Sequence, residues 1–313
     1  MADEFDCVIV GGGPAGLSAA LNLARSRSTV LVIDSNRPRN APTLFSHGFI
    51  TRDGIPPNEL RKLARAELDG YPEVEFAQRS AVTLVARDRE DEHPFSVQFS
   101  AGTWSRTVAG RTVLLATGLR ETLPAIPSVR GYYGMSLFSC VACDGYERTD
   151  QPLALIGETD DLYDRALLIA RWSKNLTVFT NGVAHLSDRH ASTLSDNGIR
   201  VDRREIHDVE GSHGSLAAVR LADGDRVAVT GGFIRPVWHP ALEFLRPIDR
   251  ESLTFDADGH LVTDRDGRTS VDGLYASGDV AAPGPQQLIV AAGAGARTAA
   301  IITHDLLGIT TSH

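Results

Sequence analysis

Apolar positions along this chain change period several times, and each change marks an element. Phe5 to Val10 is a short run of strand formers, and GGGPAG follows it directly. Leu17, Ala20, Leu21 and Ala24 then recur at helical spacing. Thr29 to Asp34, TVLVID, is a second apolar run and ends on a carboxylate. Together these pieces predict a strand, a glycine turn, a helix and a second strand. Further on, Leu153 to Ile156 and Leu176 to Thr180 read as buried strands, with a helix over roughly 161–172 between them. Segments 86–106 and 207–230 read as β-meanders with charged turns. LYASGDV, Leu274 to Val280, is a late apolar stretch with a turn, and PQQLIVAAGAGARTAA then opens a last apolar helix.

Composition sets the limits of this picture. At 313 residues, 42% of them apolar, the chain has room for two well-buried cores. A net charge of −9 with no basic block argues against a nucleic-acid partner. The start, MADEFDCVIV, does not read as a signal peptide, and no apolar stretch approaches the roughly 20 residues that span a bilayer. With three cysteines the chain is no disulfide scaffold. The expectation is a cytoplasmic protein, where a lone C-x-x-C is more often catalytic or metal-binding than structural.

Two stretches carry the candidate chemistry. Gly11, Gly13 and Gly16 form G-x-G-x-x-G between a strand and a helix, and Asp34 closes the next strand. Such glycines allow a tight turn and close approach of a pyrophosphate to the helix N-terminus, while the acidic residue accepts from a ribose hydroxyl. The second stretch is FSCVACDGYE, with Cys140 and Cys143 two residues apart and Asp144 next to them. Vicinal thiols let one sulfur form a mixed disulfide that the other resolves. A helix N-terminus at the pair would lower thiol pKa, and a neighbouring carboxylic acid would shuttle the proton. The competing readings are half of a zinc site, which needs about four ligands, and an inert or structural pair.

GGGPAG early, Ala116-Thr117-Gly118 in the middle and YASGD late resemble the two-dinucleotide-binding-domain flavoproteins, and Cys140-Val141-Ala142-Cys143-Asp144-Gly145 resembles the active-site motif of the low-molecular-weight thioredoxin reductases. The resemblance covers essentially the whole chain. It implies an α/β fold of two Rossmann-like domains, three-layer ββα, the second inserted into the first. The FAD domain would comprise 1–118 and 246–313, and the redox insert 119–245, with crossings near Gly118 and near 246–249. FAD is the implied cofactor. Its binding set is Gly11, Gly13, Pro14, Ala15, Gly16, Asp34, Ser35, Asn40, His47, Ala116, Thr117, Gly118, Gly278, Asp279, Gln287 and Leu288. Asp279 inherits the contact to the ribityl chain. Cys143 becomes the flavin-facing sulfur, Cys140 the one that attacks the partner, and Asp144 the acid/base. A homodimer is implied as well, and the partner is a thioredoxin-like protein or a small-molecule dithiol or disulfide.

One region departs from that family. The insert's own glycine fingerprint should bind NADPH, yet its turn reads Gly157-Glu158-Thr159-Asp160-Asp161-Leu162. Only the first glycine is present, and three carboxylates stand where a pyrophosphate would lie. Asn181-Gly182-Val183-Ala184 follows the next strand in place of an arginine cluster, and no arginine occurs between Thr180 and Arg189. The expectation is an insert that kept its fold and lost its nucleotide. That is similar to the divergent branch of gliotoxin- and holomycin-type dithiol oxidases and NADPH-independent thioredoxin reductases, which RPRNAPTLFSHGFITRDG also resembles. Asp144, against this, is the thioredoxin-reductase residue. An NADPH-dependent reductase and a non-enzymatic flavin sensor are the alternatives. His47 falls in a loop expected near the isoalloxazine or in solvent. Trp238-His239-Pro240 is expected at the domain interface, and Tyr132-Tyr133 reads as a hinge segment between Gly131 and Gly134.

Overall fold

The computed structural model describes residues 3–78, 81–86, 92–101, 103–245, 252–281 and 284–309. Its larger sheet is built around the strand Glu4–Val10, which pairs in parallel with Val30–Asp34 on one side and Trp104–Leu115 on the other. Val74–Gln78 extends the first edge, and Leu274–Ala276 pairs in parallel with Trp104–Leu115. All five residues of Val30–Asp34 are buried, as expected of a parallel strand covered on both faces. One face carries the helices Pro14–Arg25 and Leu288–Leu306 over a core of Ile9, Leu23, Val32 and Ile302. The other carries the antiparallel strands Ala81–Ala86 and Phe95–Ala101 over Phe95, Phe99 and Leu115. The two helices nearly touch: a Cβ on Gly295 would stand 2.0 Å from the Ala15 carbonyl oxygen.

The second sheet centres on Leu153–Ile156, flanked in parallel by Leu176–Phe179 and Gly231–Ile234, with Arg200–Asp202 and Leu137–Phe138 outermost. The helices Leu162–Ile169 and Asp188–Asp196 pack through Leu162, Ala166 and Leu194 into one core. The antiparallel meander Ile206–Ser212, Ser215–Leu221 and Arg226–Ala228 packs through Val209, Leu216 and Val219 into another. The expected pair of Rossmann-like units is present.

Between the sheets runs a two-stranded antiparallel ribbon, Leu119–Thr122 against Val237–Pro240, with Trp238 opposite Glu121 and His239 opposite Arg120. Trp238-His239-Pro240 therefore lies in this connecting ribbon. The second crossing expected near 246–249, and the turn at 87–91 of the first meander, lie outside the described residues. The expected helix over 161–172 is shorter, Leu162–Ile169. Its continuation is pulled away by tertiary bonds: Asp150 N–H donates to the Trp172 carbonyl at 2.9 Å, and Ser173 Oγ donates to the Gln151 carbonyl at 2.5 Å. Cys7 is fully buried in the first strand, and that burial pushes its thiol up to about 12.

Candidate active site

Cys140 and Cys143 are joined as a disulfide, their Cα atoms 5.3 Å apart. Cys140 caps the one-turn helix Val141–Asp144 in an extended conformation, and the Cys143 N–H donates to Cys140 Sγ at 3.2 Å. Gly145 ends the turn because nothing larger fits: a Cβ there would lie 2.5 Å from the Val141 oxygen and 3.0 Å from the Trp172 ring. Asp144 is half-buried, and the loss of water pushes its carboxyl up to about 7. Charge on His47 and Arg148 pulls it back, while Glu147 pushes the same way as burial. A carboxyl titrating near neutrality is matched to moving a thiol proton.

The pair opens onto a cavity, also lined by Asp144, that brings together three more expected site residues, Asn40, His47 and Leu288. Among the lining residues not expected in the site from the sequence are Arg39, Phe45, Tyr133 and Gln286. Arg39 is the best tied of these. Its guanidinium donates to Asp279 Oδ2 at 2.7 Å and lies 4.8 Å from the centroid of the Trp238 ring, bridging the Asp279 carboxylate and the ribbon. Tyr133 donates to Glu121 Oε2 at 2.6 Å and is 3.2 Å from Ser139 Oγ, so it links the ribbon to the residue before Cys140. Gly134 sits tight against the loop of Arg39, since a Cβ there would meet the Pro42 oxygen at 2.4 Å.

A dinucleotide cradle leads away from this cavity. Gly11 has φ +112°, and its absent Cβ would stand 2.3 Å from the Ala116 oxygen; a Cβ on Gly16 would stand 1.9 Å from the Gly11 oxygen. Gly13, by contrast, has open space beside it, Pro14 takes the first helical position, and Ala15 is buried behind it. Gly118 and Gly278 both turn with positive φ at the ends of neighbouring strands. The hydroxyls of Thr117 and Ser277 beside them are buried with no partner among the described residues. A buried hydroxyl without a partner costs about 1–3 kcal/mol, so these two suit a bound group that completes them. Gln287 caps the last helix and Leu288 begins it. Asp34 and Ser35 do not line the cysteine cavity; the Asp34 carboxylate is gripped by Arg61 at 2.6 Å and Arg65 at 2.7 Å. The cradle, with its open Gly13, fits a dinucleotide.

The corresponding turn of the insert is closed by its own side chains. Glu158 accepts from Asn181 Nδ2 at 2.6 Å, and Asp160 accepts from the His185 N–H at 3.1 Å. Asp161 accepts from Thr159 Oγ1 at 2.7 Å, Arg235 Nε at 2.8 Å and Arg165 Nε at 3.2 Å. Burial raises the Asp161 carboxyl, but the Thr159 hydroxyl and the two guanidinium groups outweigh it and hold the group below its ordinary range. The absence of arginine just after Leu176–Phe179 is real in sequence, yet Arg203 reaches back to the Leu186 carbonyl at 2.8 Å.

The chain matches the family model for pyridine nucleotide-disulphide oxidoreductases over residues 5–295. It is 35% identical over 232 residues to thioredoxin reductase tcpT of Claviceps purpurea, covering 71% of this chain and 70% of that one. Its structure is similar to a putative thioredoxin reductase TrxB from Bacillus anthracis, with TM-score 0.87, 37% identity, and 97% and 99% of the two chains covered. It is equally similar to HlmI, with TM-score 0.88, 35% identity, and 97% and 93% covered.

Proposed function

The chain belongs to the pyridine nucleotide-disulphide oxidoreductase family as a thioredoxin reductase-like FAD enzyme, and from that premise we propose that it exchanges electrons with a partner dithiol or disulfide through Cys140 and Cys143 without using NADPH. The carrying observation is the turn 157–162, where three carboxylates are held by Asn181, His185 N–H, Thr159, Arg165 and Arg235. A nucleotide pyrophosphate would have to break those bonds and lie against the acids. Each close like-charge contact costs on the order of 1 kcal/mol or more, which sums to roughly a hundredfold to ten-thousandfold in affinity.

Bound FAD supplies the two-electron acceptor or donor. The protein does the rest. A partner thiol loses its proton and attacks Cys140 Sγ, the S–S bond to Cys143 breaks with Cys143 leaving as the thiolate, and a mixed disulfide forms. Asp144 takes the proton of the second partner thiol, which then displaces Cys140. The opposite sequence runs if the partner arrives as a disulfide. Net direction depends on whether oxygen accepts the electrons, as in a dithiol oxidase, or another carrier supplies them. Sheet membership supports the division into 1–118 with 246–313 and 119–245. We further read the protein as a cytoplasmic homodimer; a monomeric mass in solution would refute the dimer.

Anaerobic mixing with NADPH, NADH or dithiothreitol, followed by flavin bleaching, tests the reading. The expected result is fast bleaching by the dithiol and slow bleaching by either nucleotide. Reduction by NADPH at micromolar affinity and catalytic speed would make the enzyme an ordinary thioredoxin reductase, and bleaching by none of the three would leave a flavin sensor.

A further inference from the structure

The loop after Asp34 closes on itself. Ser46 and Ile55 bridge antiparallel, the Gly54 N–H donates to the Ser46 carbonyl at 2.9 Å, and the Gly48 N–H donates to Asp53 Oδ1 at 2.8 Å. The backbone and Asp53 hold this hairpin, not the imidazole it carries. His47, with 22% of its side chain exposed, stands in the wall of the cavity that Cys140, Cys143 and Asp144 line. Its Nδ1 is 3.6 Å from Asp53 Oδ1, and its Nε2 is 3.7 Å from Glu147 Oε1. Asp53 and its own loop come from the first sheet's side; Asp144, Glu147 and Arg148 come from the cysteine turn. The imidazole and the Arg148 guanidinium are thus the basic groups near three carboxylates, Asp53, Asp144 and Glu147, of which Asp53 is 71% exposed.

We propose that His47 is a relay residue that acts through Asp144, carrying the surplus proton of the thiol exchange between the Asp144 carboxyl and the exposed Asp53. The inference rests on the dithiol–disulfide reading above. Its need follows from the balance of that exchange. A partner dithiol brings two protons and two electrons; its sulfurs join, the Cys140–Cys143 bond breaks, and the electrons pass to the enzyme sulfurs. If Cys140 ends as a thiol and Cys143 as a thiolate, one proton is left over. Asp144 accepts it but is half-buried, and its charge responds to His47, Glu147 and Arg148. The imidazole of His47, in the wall of the same cavity, can take a proton on one nitrogen and release one from the other. Asp53, facing Nδ1, gives that proton a route to solvent.

The test uses the full-length FAD-loaded protein, with dithiothreitol as the probe. Disulfide opening is followed by rapid alkylation and mass spectrometry, so the readout does not depend on flavin turnover. His47→Asn is expected to slow opening about tenfold or more, to change its pH profile, and to recover rate when imidazole is added. Asp53→Asn keeps an oxygen for the Gly48 N–H and loses only the carboxylate; it should slow opening two- to threefold. A His47→Asn rate within twofold of the unmodified protein across pH overturns the relay. So does a slowed rate with an unchanged pH profile and no response to imidazole, which marks a structural role. Should His47→Asn fail to fold, an Asp53→Asn profile superimposed on the unmodified one decides against the relay. Failure of the unmodified protein itself to exchange with dithiothreitol removes the functional reading and this one together, whereas exchange that both variants match removes the relay alone.

Discussion

Asp144 shows what a reactive residue costs its fold. Its carboxyl is pushed up to about 7 from an ordinary value of 3.8. Between those two pH values the unfolded chain has released a proton that the folded protein keeps. Stability therefore falls as pH rises through that window, and the full penalty is present above about 7. Asp144→Asn should remove it. At pH 8 the variant is expected to be up to about 4 kcal/mol more stable than the unmodified protein, with the difference vanishing below about pH 4. Thermal melts at several pH values measure this. The same variant should lose about a hundredfold or more in thiol exchange. The cysteines divide their labour in a way that spectra can separate. Cys140→Ser should leave a Cys143 thiolate that gives a long-wavelength charge-transfer band with oxidised flavin, and Cys143→Ser should give none. A band in the second variant instead would exchange the two roles.

At the scale of elements, the last helix sets the geometry of the site. Its first residue, Leu288, lines the cysteine cavity, while Gly295 two turns later rests against the Ala15 carbonyl of the first helix. Gly295→Ala must push the two helices apart. The expected cost is about 1–3 kcal/mol, together with weaker retention of FAD, because the glycine turn and the helix start move relative to each other. Denaturant melts and the flavin content of the purified variant check both, and unchanged values would show that the helix pair tolerates the added methyl. Elements of this kind were largely legible in the sequence. GGGPAG, CVACDG and LYASGD are contiguous, and the physical demand on each residue acts within a few positions. The insert turn was legible only in part. Its carboxylates are plain in the sequence, but Arg235 meets Asp161 across a separation of 74 residues. Arg39 and Tyr133 were hidden for the same reason: side-chain bonds that span 240 and 12 residues, not local pattern, set them beside Asp279 and Glu121. The early end of the helix at Ile169 came with tertiary bonds that join Trp172 and Ser173 to Asp150 and Gln151, which outweigh local helical preference.

At the scale of the molecule, the ribbon Leu119–Thr122 with Val237–Pro240 joins two independently packed sheets. Trp238 under Arg39 and Glu121 under Tyr133 are its anchors to either side. One further feature changes how the molecule can be studied. Of its three cysteines, Cys7 is sealed in the first strand and its thiol titrates far above neutrality. An alkylating reagent applied to the native protein therefore labels only Cys140 and Cys143. The mass added per chain becomes a direct electron count: nothing for the oxidised pair, one adduct for a partner-linked intermediate, two for the fully reduced pair. Quenched samples from living cells could then report the enzyme's working redox poise from intact mass alone, without colour, substrate or coupled assay.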